Sequence, residues 1–299
     1  MDTLIKAMAI DEPILVVALI DTETVEKARI LHDTYPTASA AMGRVMSGAL
    51  LLASLLKEGK KLAIQVSGDG PLSGVVAESD WQCRVRSYVK RPHIHMGTKN
   101  GKLDVGRAIG NGFLTVIKDL GLRNYYQGSV PLQTGEIATD LAYYLNTSEQ
   151  IPAAVSLGVY VDADNTVKAS GGFMIHSLPG ASEEIRAYLE NRLKTVRPVS
   201  SMICEGLLPE KIIDEATGLP FKILERREVT YYCPCNRDRV LEAISAIGTQ
   251  DIENLIKRGE TATIACRFCK SEYMVTHNEL GALLKEITSG NETHQQTHE

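Results

Sequence analysis

Four of the six cysteines in this 299-residue chain fall into two tight pairs. Cys233-Pro234-Cys235 and Cys266-Arg267-Phe268-Cys269 are held apart by a thirty-residue insert. Each pair fits on one turn and offers two sulfurs to a single ion, and an insert that folds back would bring the pairs together. Four protein thiolates of this kind close a tetrahedral structural zinc site. No histidine or carboxylate stands at ligand spacing beside them, so nothing in the sequence supports an open, catalytic zinc site. The second pair is an ordinary CxxC. The first is a CxC, tighter than the usual gap in zinc modules.

Disulfides are the competing chemistry for paired cysteines, and they need an oxidising compartment. Met1 to Ile10 carries no basic leader, and the short apolar run Ile14 to Ile20 follows Asp11 and Glu12, which argues against a secretory signal. A cytoplasmic setting is therefore expected, and there thiols and metal prevail over disulfides. Cys83 and Cys204 stand apart from the array, among apolar and strand-like residues, and read as small core side chains.

The rest of the chain must position this array. Hydrophobic residues make up 44% and charged residues 23%, the balance of a water-soluble chain long enough for one large domain and a smaller one. The net charge of −5 opposes attraction to a polyanion, and aromatics at 5% leave few stacking platforms for single strands. Nucleic acid and membrane are accordingly not expected as partners. Thr37 to Leu56 is long and apolar enough to raise the question of a membrane span. Gly43, Gly48, several Ser and Thr residues and the surrounding strands favour a helix buried in a soluble core.

Around that helix the pattern is mostly β. Strands are expected at Ile14–Ile20, Leu62–Val66, Leu72–Ala77, Cys83–Val89, Phe113–Ile117, Gly128–Leu132, Val155–Val161 and Val167–Ile175. Gly68-Asp69-Gly70-Pro71 lacks the lysine and helix of a phosphate loop and reads as a hairpin turn. Helices are expected at Thr22–Leu31, with Asp21 as N-cap, and at Glu136–Leu145. His93 and His95 have no third ligand nearby and read as surface.

From Ser182 the composition turns helical. Ile185, Tyr188, Leu189, Leu193 and Val196 form one apolar face, with Ser182 as N-cap. Such a stripe cannot be buried by its own segment, so it must dock on a neighbour, with Ile185, Tyr188, Leu189 and Leu193 as the candidate docking surface. The cysteine module follows, with helices after Cys235 and over Asp251–Arg258. Strands are expected at Thr261–Ala265 and Tyr273–Val275, then a final helix opened by the capping box Thr276-His277-Asn278-Glu279. Residues 289–299 read as a polar tail whose His294 and His298 are solvated. The fold class is α+β, with a large mixed β-sheet N-terminal domain around a buried central helix, a helical linker and a small zinc-binding domain. The boundaries fall at 1–179, 180–229 and 230–288.

With these residues in place, the whole chain resembles the redox-regulated Hsp33 chaperone family. The CxC-then-CxxC array at this separation is specific to it. Agreement extends to Pro36-Thr37-Ala38-Ser39-Ala40-Ala41-Met42-Gly43-Arg44, Gly68-Asp69-Gly70-Pro71-Leu72, Ser148-Glu149-Gln150-Ile151-Pro152, Gly171-Gly172-Phe173 and Leu178-Pro179-Gly180. The resemblance implies an ATP-independent holdase rather than an enzyme, silent while reduced and carrying one zinc. It implies that oxidation ejects zinc, forms Cys233–Cys235 and Cys266–Cys269 disulfides, and unfolds the module and linker. The exposed surfaces would then hold unfolding client proteins, the active form pairing as a homodimer. Cys83 and Cys204 have no part in that pattern.

Two other classes compete. A nucleic-acid-binding zinc ribbon could use Arg237, Arg239, Arg267 and Lys270 beside the knuckles, against the acidic charge balance. A thiol-disulfide oxidoreductase could use Cys266 and Cys269, but needs a thioredoxin-like βαβ context that the sequence lacks.

Overall fold

A computed structural model describes the chain except Asn100, Arg123, Glu260 and residues 296–299; of 289–295 the backbone alone is described. The chain divides into two compact units, Met1–Tyr232 and Cys233–Glu299.

In chain order the first unit contains β1 (Thr3–Ala9), β2 (Ile14–Ile20), α1 (Thr22–His32), α2 (Pro36–Ala53), β3 (Lys61–Gly68), β4 (Gly74–Asp80) and β5 (Arg84–Val89). A short hairpin, β6 (Thr98–Lys99) and β7 (Lys102–Leu103), leads to α3 (Val105–Ile109), β8 (Gly112–Asp119) and β9 (Tyr126–Pro131). Then come α4 (Ala138–Thr147), β10 (Ala153–Val161), β11 (Val167–Ser177), α5 (Glu183–Leu193), α6 (Val199–Cys204), α7 (Pro209–Thr217), β12 (Phe221–Glu228) and β13 (Thr230–Tyr231). The long strands form two sheets, ordered β10-β11-β2-β1-β12 and β13-β5-β4-β3-β8-β9. All their pairs are antiparallel except β5 with β13.

The central helix α2 runs between these sheets, touching β3, β4 and β5 of one and β2, β10 and β11 of the other. Every residue from Thr37 to Ala53 is buried, which is why the sequence there is apolar on all sides. Small side chains let the sheets close in. A Cβ on Gly43 would lie 2.8 Å from both Val159 and Val25, so larger residues would force the layers apart. No described helix is long and apolar enough to cross a membrane.

The residues at the α1 N-terminus depart from the sequence reading. Asp21 occupies the N-cap position but makes no side-chain cap bond. It is fully buried and accepts instead from the Ser47 hydroxyl on α2, 2.8 Å away. The capping work falls to Asp2, which accepts from the Glu23 and Thr24 amides. Burial drives the Asp21 carboxyl up to about 7, against the lowering effect of hydrogen bonds from Ser170 and Ser47.

His176 on β11 is buried with no partner for Nε2, and burial pushes its pKa down to about 4. The folded state thus disfavours the protonated ring. Its contribution is intact above the ordinary value of 6.5 and is lost as pH falls from there toward 4. Between pH 7 and pH 5 this costs about 2 kcal/mol of stability. Urea unfolding at the two pH values should show that loss in the parent and a loss smaller by this amount in His176→Leu. Equal pH dependence in both would remove His176 as the cause.

The second face of the five-stranded sheet is covered by α5, α6 and α7. Ile5, Ile14, Val16, Phe173 and Ile175 pack with Leu189, Val199, Met202, Ile212 and Ile213 in a core separate from that of α2. The Ser182 hydroxyl accepts from the Ile185 amide at 3.2 Å, as its N-cap position requires. Leu189 is 6% exposed and Ile185 and Leu193 are partly buried, whereas Tyr188 stays 42% exposed. Beyond α7 the chain is not helical: β12 joins the edge of the sheet, pairing Thr3 with Glu228 through Ala9 with Phe221. The two histidines considered as ligands lie in the loop before β6. His93 Nε2 lies 2.9 Å from the Asp33 carboxylate, and His95 Nδ1 lies 3.4 Å from the Thr37 hydroxyl.

The second unit holds α8 (Arg237–Ser245), α9 (Thr249–Lys257), β14 (Ala262–Ala265), β15 (Glu272–Val275) and α10 (His277–Gln295). Among the described residues its buried apolar side chains are Val240, Ile244, Ile252, Val275 and Leu280. The α10 backbone continues to Gln295, past the Ser289 at which the sequence suggests a polar tail. The side chain of His294 and all of His298 lie outside the described residues.

Candidate metal centre

The two knuckles are held by different devices. Cys233-Pro234-Cys235 leads into α8, whose N-cap Asn236 accepts from the Arg239 amide at 2.9 Å. Pro234 fixes one backbone torsion and removes an N–H between the two cysteines. The second knuckle is the loop of the β14–β15 hairpin, which pairs Ala265 with Glu272. The Cys266 amide donates to the Ser271 carbonyl and the Lys270 amide donates to the Cys266 carbonyl, both at 2.9 Å. The turn puts Lys270 in the left-handed region at φ 58°. Both thiols of the pair are thereby turned to one side.

The end of the hairpin is braced. Thr276 and Glu279 form the capping box, the Thr276 amide donating to the Glu279 carboxylate at 2.9 Å and the Glu279 amide donating to the Thr276 hydroxyl at 3.4 Å. Arg237 on α8 pairs with Glu279 and donates to the Met274 carbonyl at 3.0 Å. The Thr276 amide and the Arg237 guanidinium hold the Glu279 carboxyl at about 2. The capping box is legible in the sequence; the reach of Arg237 across to it is not, because the partners lie 42 residues apart.

Within this frame the sulfurs of Cys233, Cys266 and Cys269 come within 4.8 Å of one another, all three partly buried. Cys233 Sγ and Cys266 Sγ are 3.9 Å apart. Zinc–sulfur bonds of about 2.3 Å in a tetrahedron set an edge of about 3.8 Å, so this spacing fits the ion. Cys235 lies outside that group, in contact with Cys266 and the Tyr273 hydroxyl. Burial and the neighbouring Cys266 push its thiol up, against the Tyr273 hydrogen bond. Cys269 differs: burial raises it, but hydrogen bonding to Ser271 and contact with Cys266 and Cys233 bring it down to about 7. Ser271 and Tyr273 are thus site residues that the cysteine spacing alone did not reveal. Among the described residues no second cluster of three such ligand groups forms.

The remaining cysteines part company. Cys83 is fully buried, in the turn before β5 beside Arg227, and burial pushes its thiol up to about 11. Cys204 does not fill the core, as its apolar neighbours suggest; at the end of α6 it is exposed. Neither belongs to the thiol cluster.

Comparison with known proteins decides the family. The family model described as Hsp33 protein matches residues 2–276. A protein of Thermodesulfovibrio yellowstonii named 33 kDa chaperonin is 58% identical over 287 residues, covering 96% of this chain and all of that one. The chain belongs to the Hsp33 family. A Bacillus subtilis relative, also named 33 kDa chaperonin, is 41% identical over 290 residues with the same coverage. The fold agrees as well: the crystal structure of the Hsp33 homologue of Thermotoga maritima superimposes with a TM-score of 0.87 at 33% identity, covering 96% of this chain and 99% of that one. The Hsp33 relatives are named as chaperonins, not as enzymes.

Proposed function

We propose that this chain is a holdase chaperone of the cytoplasm whose client binding is switched by oxidation of the four-cysteine centre. The observation that carries the reading is the meeting of the two knuckles, with thiols of both within 4.8 Å, in a unit with five buried apolar side chains among its described residues. Cys233, Cys235, Cys266 and Cys269 would hold one zinc in the reduced protein. Bound zinc would keep the sulfurs as thiolates and tie the two knuckles together.

In the oxidised protein Cys233 would pair with Cys235 and Cys266 with Cys269. Each disulfide forms by loss of two electrons and two protons from a thiol pair. With a peroxide as oxidant, one thiolate attacks an oxygen to give a sulfenic acid, and its neighbour then displaces hydroxide, so each disulfide consumes one peroxide and yields two waters. The Cys233–Cys235 ring closes around Pro234 in three residues, and small strained disulfides are the easily reduced, regulatory kind.

With the knuckles separated, residues 230–288 would lose more stability than their small core supplies, and the linker 180–229 would loosen. Ile185, Tyr188, Leu189 and Leu193 are the side chains proposed to take unfolding clients, with the active form a homodimer. The test is zinc content and suppression of aggregation, measured on the same reduced and oxidised samples. Activity that is equal in both states, with zinc retained in both, would refute the switch while leaving the family assignment untouched.

A further inference from the structure

A second candidate site lies wholly within the first unit, away from the cysteines. A cavity of about 480 Å³ is bounded by α2, the β6–β7 hairpin, β10 and α6. Its lining includes the cations Arg44 and Lys102, the hydroxyls of Ser156, Ser200 and Ser201, and the apolar Leu157 and Val199. Among the described residues no acidic one lines it.

Arg44 is the unusual member. It is the one charged residue in α2 and its side chain is 9% exposed. Its Nη1 donates to the Glu136 carboxylate and, at 3.5 Å, to the Glu136 carbonyl. Its Nε–H is shut off from solvent and has no acceptor among the described residues. A buried cationic donor without an acceptor is costly, so its retention calls for an explanation. Glu136 offsets the Arg44 charge from behind, with its other oxygen taken by the Gly106 amide at 3.0 Å. Lys102 leaves the wall of the cavity net positive.

The volume is that of a small-molecule site, and the mixture of a few polar groups with apolar walls is the usual composition of one. We propose that this cavity binds a small organic oxyanion, its carboxylate or phosphate recognised by Arg44, Lys102 and the neighbouring serine hydroxyls, its apolar part by Leu157 and Val199. Guanidinium and hydroxyl donors suit either headgroup, because both present several acceptor oxygens. The site needs α6 in its docked position but does not depend on the redox reading.

The experiment uses the reduced full-length chain at low ionic strength, titrated with phenyl phosphate, benzoate and the neutral benzyl alcohol. Binding is read by calorimetry and by amide shifts in two-dimensional NMR. At least one anion should bind with shifts centred on Ser156, Ser200 and Ser201, and the tighter of the two identifies the headgroup. Benzyl alcohol should bind at least about tenfold more weakly, the worth of a charge-assisted hydrogen bond. Arg44→Gln should abolish anion binding, but it disturbs a buried ion pair. The deciding variant is therefore Lys102→Glu, on the exposed hairpin, which should weaken the anion about tenfold or more with the fold intact. Three results would overturn the site: benzyl alcohol binding as tightly as the anions, Lys102→Glu without effect, or no shift at these amides at about 10 mM of either anion.

Discussion

Reduced protein carrying Cys269→Ser should purify without zinc and with the second unit unfolded, while the first unit keeps its protection from hydrogen exchange. The expected effect is large because of the disparity in the terms. A structural zinc contributes on the order of 10 kcal/mol of folding free energy in small modules. A domain of this size retains roughly 3–5 kcal/mol from a single core without such a staple. Here that core is Val240, Ile244, Ile252, Val275 and Leu280, with the rest of the apolar contacts only partly buried. Cys233→Ser should behave alike, since it removes a member of the same sulfur cluster. The parent should carry one zinc per chain by elemental analysis, and a strong chelator should convert it reversibly to the exchange pattern of the variant. A reduced parent with free thiols, no metal and a protected second unit would sink both the metal assignment and the energetic argument.

Those features were open to reading because they are local. A cysteine pair, a capping box and a long, mostly apolar helix are each written within twenty or so consecutive residues; the Thr276–Glu279 and Ser182 readings hold residue by residue, and the helix expected over Thr37–Leu56 lies at Pro36–Ala53. What the sequence concealed depends on distant partners. β12 has the composition of an exposed strand, Phe-Lys-Ile-Leu-Glu-Arg-Arg-Glu, and takes its place only because β1, more than two hundred residues earlier, offers an edge. Asp21 has the position of a helix cap, yet Ser47 on another helix captures its carboxylate and Asp2 substitutes for it. Cys204 sits among apolar residues, but α6 is short and turns Val199 and Met202 inward, which leaves its end outside. The Arg44 guanidinium could be counted in the sequence; that one of its donors is buried and unanswered could not.

Reduced, zinc-loaded Leu189→Asp should suppress the aggregation of a thermally unfolding test protein under conditions where the reduced parent does not. Leu189 is the most deeply buried residue of α5 and packs on the five-stranded sheet with Val199, Met202 and Ile213. An unpaired carboxylate there costs several kcal/mol. An eleven-residue helix has little stability of its own in water, so α5 cannot persist undocked. A second variant reaches the same dock by another route and without a charge. A Cβ on Gly158 of β10 would lie 2.8 Å from Val199 and 2.9 Å from the Ser200 amide, so Gly158→Val should lift α6 from the sheet. Leu189→Ala, costing about 2–5 kcal/mol, provides the graded case. Hydrogen exchange should show 182–217 losing protection in proportion to activity, while the second unit remains protected and zinc content stays at the parent level. Both variants folded, zinc-loaded and silent until oxidised, with 182–217 nonetheless unprotected, would make the linker a passive tether. Control of client binding would then fall to the cysteine module, because undocking the apolar face would have proved insufficient to expose a productive surface.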